Sequence, residues 1–311
     1  LTYTKNKNKV LKLSEGKSFV EDGKYLIEEG SPLGQWFGQK ALGIYATDEA
    51  NAYIKNSDGS FGDRLIPVYQ RDPNNYNNYI YGSNGKPIFS HYETKGGQKY
   101  TGDVGKMTTA GSVSKGGDII WDDLDHDGVI GDSDRRILGN GMPTWYMGWT
   151  NYLNYKNFSL SFSFYGSFGN KIYNKQRRDL LQNSSSNMTP LARDCYRLWK
   201  YQGQITEVYS SAKATTGVNN ARELSSFFLE DGDYIRLTNA RLAYRVDRNF
   251  TKRFHISDLQ LYVYGNNLLT WTKYKGFDPS SISNSNVLRP GIDNGRYPTA
   301  REIGFGLNVN F

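Results

Sequence analysis

The chain has 311 residues, 37% hydrophobic and 14% aromatic, with a formal net charge of +7. It contains no apolar run near 18 residues, which excludes a transmembrane helix, while a mean hydropathy of -0.67 still allows a membrane barrel, where only alternate residues meet lipid. Twenty-four Tyr, 15 Phe and 6 Trp beside a single Cys exclude a disulfide framework or multi-cysteine metal site and favour strands joined by Gly- and Asn-rich turns.

In chain order, Leu1 to Lys12 carries four lysines and no apolar core, so it does not read as a secretory leader. Gly34 to Ala46 alternates loosely. Lys55 to Gly117 is rich in Gly, Asn, Tyr and Asp and reads as extracellular loop with short excursions of strand. Trp145, Met147, Trp149, Leu153 and Tyr155 then alternate with Tyr146, Gly148, Thr150, Tyr152 and Asn154. After Lys156-Asn157, short enough for a tight hairpin, Phe158, Leu160, Phe162 and Phe164 alternate with Ser159, Ser161, Ser163 and Tyr165. In water the Phe face would need a core; in a barrel wall it faces lipid and the serines face a wet lumen.

A long polar stretch, Lys175 to Asn220, follows and reads as an external loop. Within it, Leu191, Cys195 and Leu198 recur at helical spacing, so a short helix is expected over Met188 to Tyr201. Cys195 is expected to be an incidental buried or interfacial thiol. From Asp233 to Val246, Leu242, Tyr244 and Val246 oppose Ala243 and Arg245, whereas Ile235 and Leu237 stand in the other phase; a bulge would reconcile the two halves. Leu259, Leu261 and Val263 oppose Gln260, Tyr262 and Tyr264 before another polar loop, Gly276 to Tyr297. The chain closes on Ile303, Phe305, Leu307, Val309 and Phe311 against Glu302, Gly304, Gly306, Asn308 and Asn310. An apolar strand edge of that length invites aggregation in water, and lipid removes the difficulty. The fold class read from these segments is all-β, an antiparallel transmembrane barrel wall with long extracellular loops.

One motif carries chemistry. Asp123, Asp125 and Asp127, Gly128 and Asp134 occupy positions 1, 3, 5, 6 and 12 of a calcium-loop template. Calcium takes several hard oxygens on a tightly curled backbone, so the expected ligands are Asp123, Asp125, Asp127, the Val129 carbonyl and Asp134, with Ile130 anchoring the loop. Asp134 stands where an EF-hand has Glu, and no long helices flank the loop. An Asp-Gly-rich turn that binds nothing is the plainer alternative. His91, His126 and His255 form no triad or ligand spacing, and no G-x-S-x-G, H-E-x-x-H, P-loop or dinucleotide fingerprint occurs. No catalytic residue is expected, and the scattered arginines without an aromatic-basic platform argue against nucleic acid as a partner.

The run Gly117-Asp118-Ile119-Ile120-Trp121-Asp122-Asp123-Leu124-Asp125-His126-Asp127-Gly128-Val129-Ile130, followed by Asp134-Arg135, Gly139-Asn140, Pro143, Gly148 and Gly166-Ser167-Phe168-Gly169-Asn170, resembles the SusC/RagA family of TonB-dependent transporters of Bacteroidota. So do Gly30 to Gly34 with Gly43-Ile44-Tyr45, Phe228 to Leu237, Tyr264 to Leu268, Gly276-Phe277-Asp278-Pro279, Tyr297 to Arg301 and the terminal Phe311. Tyr53 to Lys115 is longer and more divergent than the rest. The resemblance implies that residues 1–311 are the C-terminal part of a barrel of about 22 strands around a plug, with residues 117–140 a calcium-loop-like extracellular segment and the N-terminal plug lying elsewhere. It also implies the outer membrane as location, import of an oligosaccharide or peptide driven by TonB, a SusD-like surface lipoprotein as partner, and calcium as a structural ion. Substrate-contacting residues do not carry over. Two alternatives stay open from the residues alone: a passive porin or barrel component of a secretion complex, and a secreted β-sandwich with a dockerin-like calcium loop.

Overall fold

The computed structural model describes residues 1–181, 193–210, 220, 224–280 and 286–311. They divide into two compact units, the first made of Leu1–Trp36, Gly139–Lys175 and Leu229–Phe311, the second of Phe37–Leu138 and Gln176–Phe228.

The first unit contains a six-stranded sheet of β1 (Thr2–Lys5), β2 (Trp145–Tyr155), β3 (Phe158–Phe168), β4 (Tyr234–Arg245), β5 (Asp258–Thr272) and β6 (Glu302–Asn310), neighbours in that order. Every pairing is antiparallel. Lys156, at φ 51°, turns β2 into β3 in two residues, so Tyr155 faces Phe158 and Trp145 faces Phe168. The register gathers the apolar residues of each strand on one face: Phe158, Leu160 and Phe162 stand opposite Tyr244, Leu242 and Ala240, while Leu261 and Val263 stand opposite Leu307 and Phe305. The expected bulge is present. Pairing skips Thr238, whose hydroxyl donates to the Ser163 carbonyl at 3.0 Å, and Phe164 then faces Leu237. On the other side of β4, β5 spends Asn267 and Leu268 between the partners of Asn239 and Leu237. The phase switch therefore returns Ile235, Leu237, Leu269 and Trp271 to the apolar face.

That face is bare. Phe305 is 91% exposed, Ile303 74% and Leu307 61%. Exposure of this extent along a whole sheet is costly in water and is the expected state of a barrel wall in lipid. The buried core of this unit lies beyond one end of the sheet. There Tyr25 stacks on Trp36 at 4.3 Å, the Trp36 indole donates to the Lys171 carbonyl (2.9 Å), and the Tyr25 hydroxyl donates to the Pro290 carbonyl (2.9 Å).

The second unit is built of short strands, as its Gly-, Asn- and Tyr-rich sequence suggests. Ala41–Ile44 pairs with Ile119–Trp121, Tyr53–Lys55 with Phe61–Arg64, and Ile66–Tyr69 with Phe89–Glu93. Its core includes Tyr45, Leu65, Ile119, Trp121 and Phe228. Much of the helix expected over Met188 to Tyr201 lies outside the described residues, as does the Cys195 side chain. What is described there is a 3-10 turn, Arg193–Arg197, followed by a bridge from Leu198 to Val208. No described helix is long and apolar enough to cross a membrane.

Candidate functional site

Opposite the apolar face of the six-stranded sheet, small and polar side chains line up across strands. The hydroxyls of Thr150 and Ser163 meet at 3.0 Å, Asn239 donates to Asn266 (2.9 Å), and Asn266 donates to Glu302 (2.9 Å). Lower on the sheet, Arg241 donates to Gln260 (3.2 Å) and its guanidinium lies 4.3 Å from the Tyr262 ring centre. Tyr262 and Tyr264 lie over Gly306 and Gly304, their cross-strand partners. A Cβ at either glycine would sit 2.5 Å from the ring, which is the aromatic-over-glycine device that pins register. This face can offer hydroxyls, carboxamides and tyrosine rings to water or to a polar solute.

At one end of the same face, a clamp that sequence reasoning did not single out ties the loop before β6 to the sheet. Arg236 and Asp278 pair at 2.5 Å, both nearly buried. Arg236 also donates to Thr270 (2.9 Å) and Ser280 (2.9 Å), and the Asp278 carboxylate accepts the backbone N–H groups of Ser280 and Thr299, each at 2.9 Å. Burial alone would raise the Asp278 carboxyl; those N–H groups, the Ser280 hydroxyl and Arg236 outweigh it and hold the group well below the usual carboxylate range. The signal was in the sequence, in Asp278-Pro279 and in Thr299 before Arg301, but nothing there paired Asp278 with Arg236, 42 residues away.

In the second unit the acidic loop curls as its template requires, with His126 at φ 61° and Gly128 at φ 78°. Gly128 is also pressed by the Phe61 ring, which a Cβ would meet at 2.5 Å. Asp123 accepts the N–H groups of His126 (2.9 Å) and Gly128 (3.0 Å), and Asp134 those of Leu124 (2.8 Å) and Gly131 (2.7 Å). Oxygens of Asp123, Asp125 and Asp134 lie within 4.8 Å of one another; the first and last are buried and Asp125 is exposed. Asp127 is not in that group, and its carboxylate caps the Val129 N–H at 2.7 Å. Val129 pairs in parallel with Thr108, and Ile130 is buried as expected of the loop's anchor. Burial, with the charge of Asp134 beside it, raises the Asp123 carboxyl against the pull of the loop N–H groups, whereas a hydrogen bond from Ser133 helps lower that of Asp125. The donor set is three hard carboxylate oxygens on a curled backbone, a fit to calcium in kind.

No family model matches the chain. Among curated proteins, it is 34% identical over 99% of its length to a TonB-dependent receptor of Formosa agariphila, and 23% identical over 99% to the TonB-dependent receptor SusC of Bacteroides thetaiotaomicron. It spans 28% and 24% of those two relatives. Among solved structures, it is similar to the RagAB peptide transporter, with a TM-score of 0.62, 17% identity and coverage of 99% of this chain and 26% of that one. The closed-closed state of the RagAB peptide importer gives a TM-score of 0.59 at 18% identity.

Proposed function

The chain belongs to the SusC/RagA family of TonB-dependent receptors, and from that premise we propose that it forms part of the wall and external loops of an outer-membrane importer for a large nutrient. The observation that carries the reading is the match to such receptors along 99% of the chain. The sheet supports it: an uncovered apolar face suits lipid, and a hydroxyl- and carboxamide-lined face suits a solute path. The two-residue link of β2 and β3 lies at one end of the sheet and the long connections leave from the other, the habit of barrels with short periplasmic turns and long outer loops.

In this reading the cargo is an oligosaccharide or a peptide, TonB supplies the energy, and a SusD-like lipoprotein lids the outer opening. The names of the RagAB peptide transporter and of SusC support both cargo classes. The decisive experiment deletes the parental gene and compares growth on defined oligosaccharides and on peptides as sole source, with and without an intact TonB. Loss of growth on one class, reproduced by loss of TonB, is the expected outcome. Uptake that persists without TonB would make the barrel a passive pore.

The acidic loop holds a structural calcium in the same reading, with Asp123, Asp125 and Asp134 as ligands beside Asp127 and the Val129 carbonyl. The ion would offset the repulsion of clustered carboxylates and stiffen the loop. Calcium is expected to raise the thermal midpoint of the EGTA-treated receptor, and Asp134→Asn to remove most of that rise. An unchanged midpoint on adding calcium would leave the loop a plain turn.

A further inference from the structure

The residues that follow β1 form a cationic row on the lipid side of the sheet. Lys5 faces Trp145 across the β1–β2 pair, and Tyr3, two residues earlier, packs its ring 5.8 Å from that of Trp145. Both therefore share the apolar face. At this level the face carries an aromatic girdle: Trp145 stacks on Phe168 at 3.9 Å, Trp149 on Phe164 at 5.7 Å, and Phe164 lies 6.1 Å from Trp271. Aromatic residues of this kind mark the headgroup level of a bilayer.

Beyond Lys5 the chain stays extended, and alternate residues pin it down. The Asn6 N–H donates to the Thr144 carbonyl (2.8 Å), the Asn8 side chain accepts the Leu33 N–H (2.7 Å), and Val10 exchanges backbone bonds with Ser31 and Gly30, both at 2.9 Å. Lys5, Lys7 and Lys9, between those anchors, are exposed. Among the described residues none of the three ammonium groups has a hydrogen bond or ion pair. Lys12 and Lys17 extend the run, against Glu15 as the one acid between Leu1 and Lys17.

Three unpaired cations held in a row, continuous with a lipid-facing girdle and at the end of the sheet where the long connections leave, match a layer of anionic headgroups. We propose that Lys5, Lys7 and Lys9 form a collar that binds the anionic phosphate headgroups of lipids in the outer leaflet. The proposal rests on the membrane reading above. Its partner is the lipid and not the nutrient. Fixing the backbone between the lysines lowers the entropy lost when they engage, and their aliphatic stems can lie against the girdle while the charges reach the headgroups.

The test uses the full-length receptor in phosphatidylcholine bilayers doped with spin-labelled phosphatidylglycerol or spin-labelled phosphatidylcholine. A larger motion-restricted fraction is expected for phosphatidylglycerol. The combined K5E, K7E and K9E substitutions should abolish that preference, and K5R, K7R and K9R should keep it. Each lysine near an anionic surface is worth about fivefold, so the site affinity should fall on the order of 100-fold at low salt. Equal fractions for the two lipids with the unsubstituted receptor, or a preference untouched by the glutamates, would overturn the collar. Loss of the preference when inorganic phosphate replaces chloride at equal ionic strength would reassign the row to the free ion. A receptor that restricts neither lipid would undo the membrane reading itself, a result distinguishable from failure of the collar alone.

Discussion

A single buried ion pair shows what residue-level reading reaches and what it misses. Asp278 and Arg236 each belong to recognisable runs, yet their pairing depends on β4 and the loop before β6 being folded together. Removing one partner leaves a buried charge without compensation, which costs about 3–5 kcal/mol. Asp278→Ala is therefore expected to free the loop, seen as new proteolytic cleavage between Lys275 and Arg301 while the sheet stays intact. Because the folded-state Asp278 carboxyl is depressed, its contribution is present above the ordinary carboxylate value of about 4 and is lost as pH falls towards the folded value. Loop protection should decline on acidification in the unsubstituted receptor and show no such step in the alanine variant. The acidic loop was more legible, since residue types, spacing and the glycine are all local. What local spacing could not show was that Asp127 turns to cap Val129, or that Phe61, 67 positions before Gly128, closes the curl.

At the scale of elements, the period-two pattern read most of the sheet correctly, because each strand has one apolar face and a one-residue slip would reverse it. The inverted phase within Asp233 to Val246 marked the bulge at Thr238 before its geometry was known. β1 escaped notice: four residues, Thr2–Lys5, are too few for alternation to show. The short strands of the second unit escaped for the same reason. Alternation also makes a sharp comparison. Phe162→Lys places a charge on the lipid face near mid-strand and should cost about 2–4 kcal/mol, whereas Ser161→Lys, its neighbour on the polar face, should cost far less. Folding into lipid vesicles, followed by the heat-modifiable shift on gels, would measure both; equal losses would contradict the assignment of faces.

For the whole molecule, the order of the sheet matters more than any contact. β1 and β6 are its two ends, and among the described residues no pairing joins them. Backbone groups left unpaired in lipid cost several kcal/mol each, so in a bilayer both edges require further strands. Expressed alone, residues 1–311 are expected to give no detergent-stable closed species. A monodisperse particle of this chain with β6 paired to β1 would contradict that. Aromatic-rich composition and alternation made the barrel wall legible, while the division into two units was not, because it rests on segments far apart in sequence.

That division has a consequence for the order of folding. In the second unit the Ile119 N–H donates to the Asn220 side chain (2.9 Å), Asn220 donates to Asp118 (2.8 Å), and the Trp199 indole donates to the Ala46 carbonyl (3.0 Å). These bonds join residues 37–138 to residues 176–228, and the β2–β3 hairpin lies between them in the chain. The first stretch must therefore wait, incompletely closed, until the hairpin has been made and the second stretch has followed it. Long-range closures of this kind are slow. A receptor built this way spends part of its biogenesis as an unfinished loop domain trailing a finished hairpin, and that interval is when it depends on being held soluble.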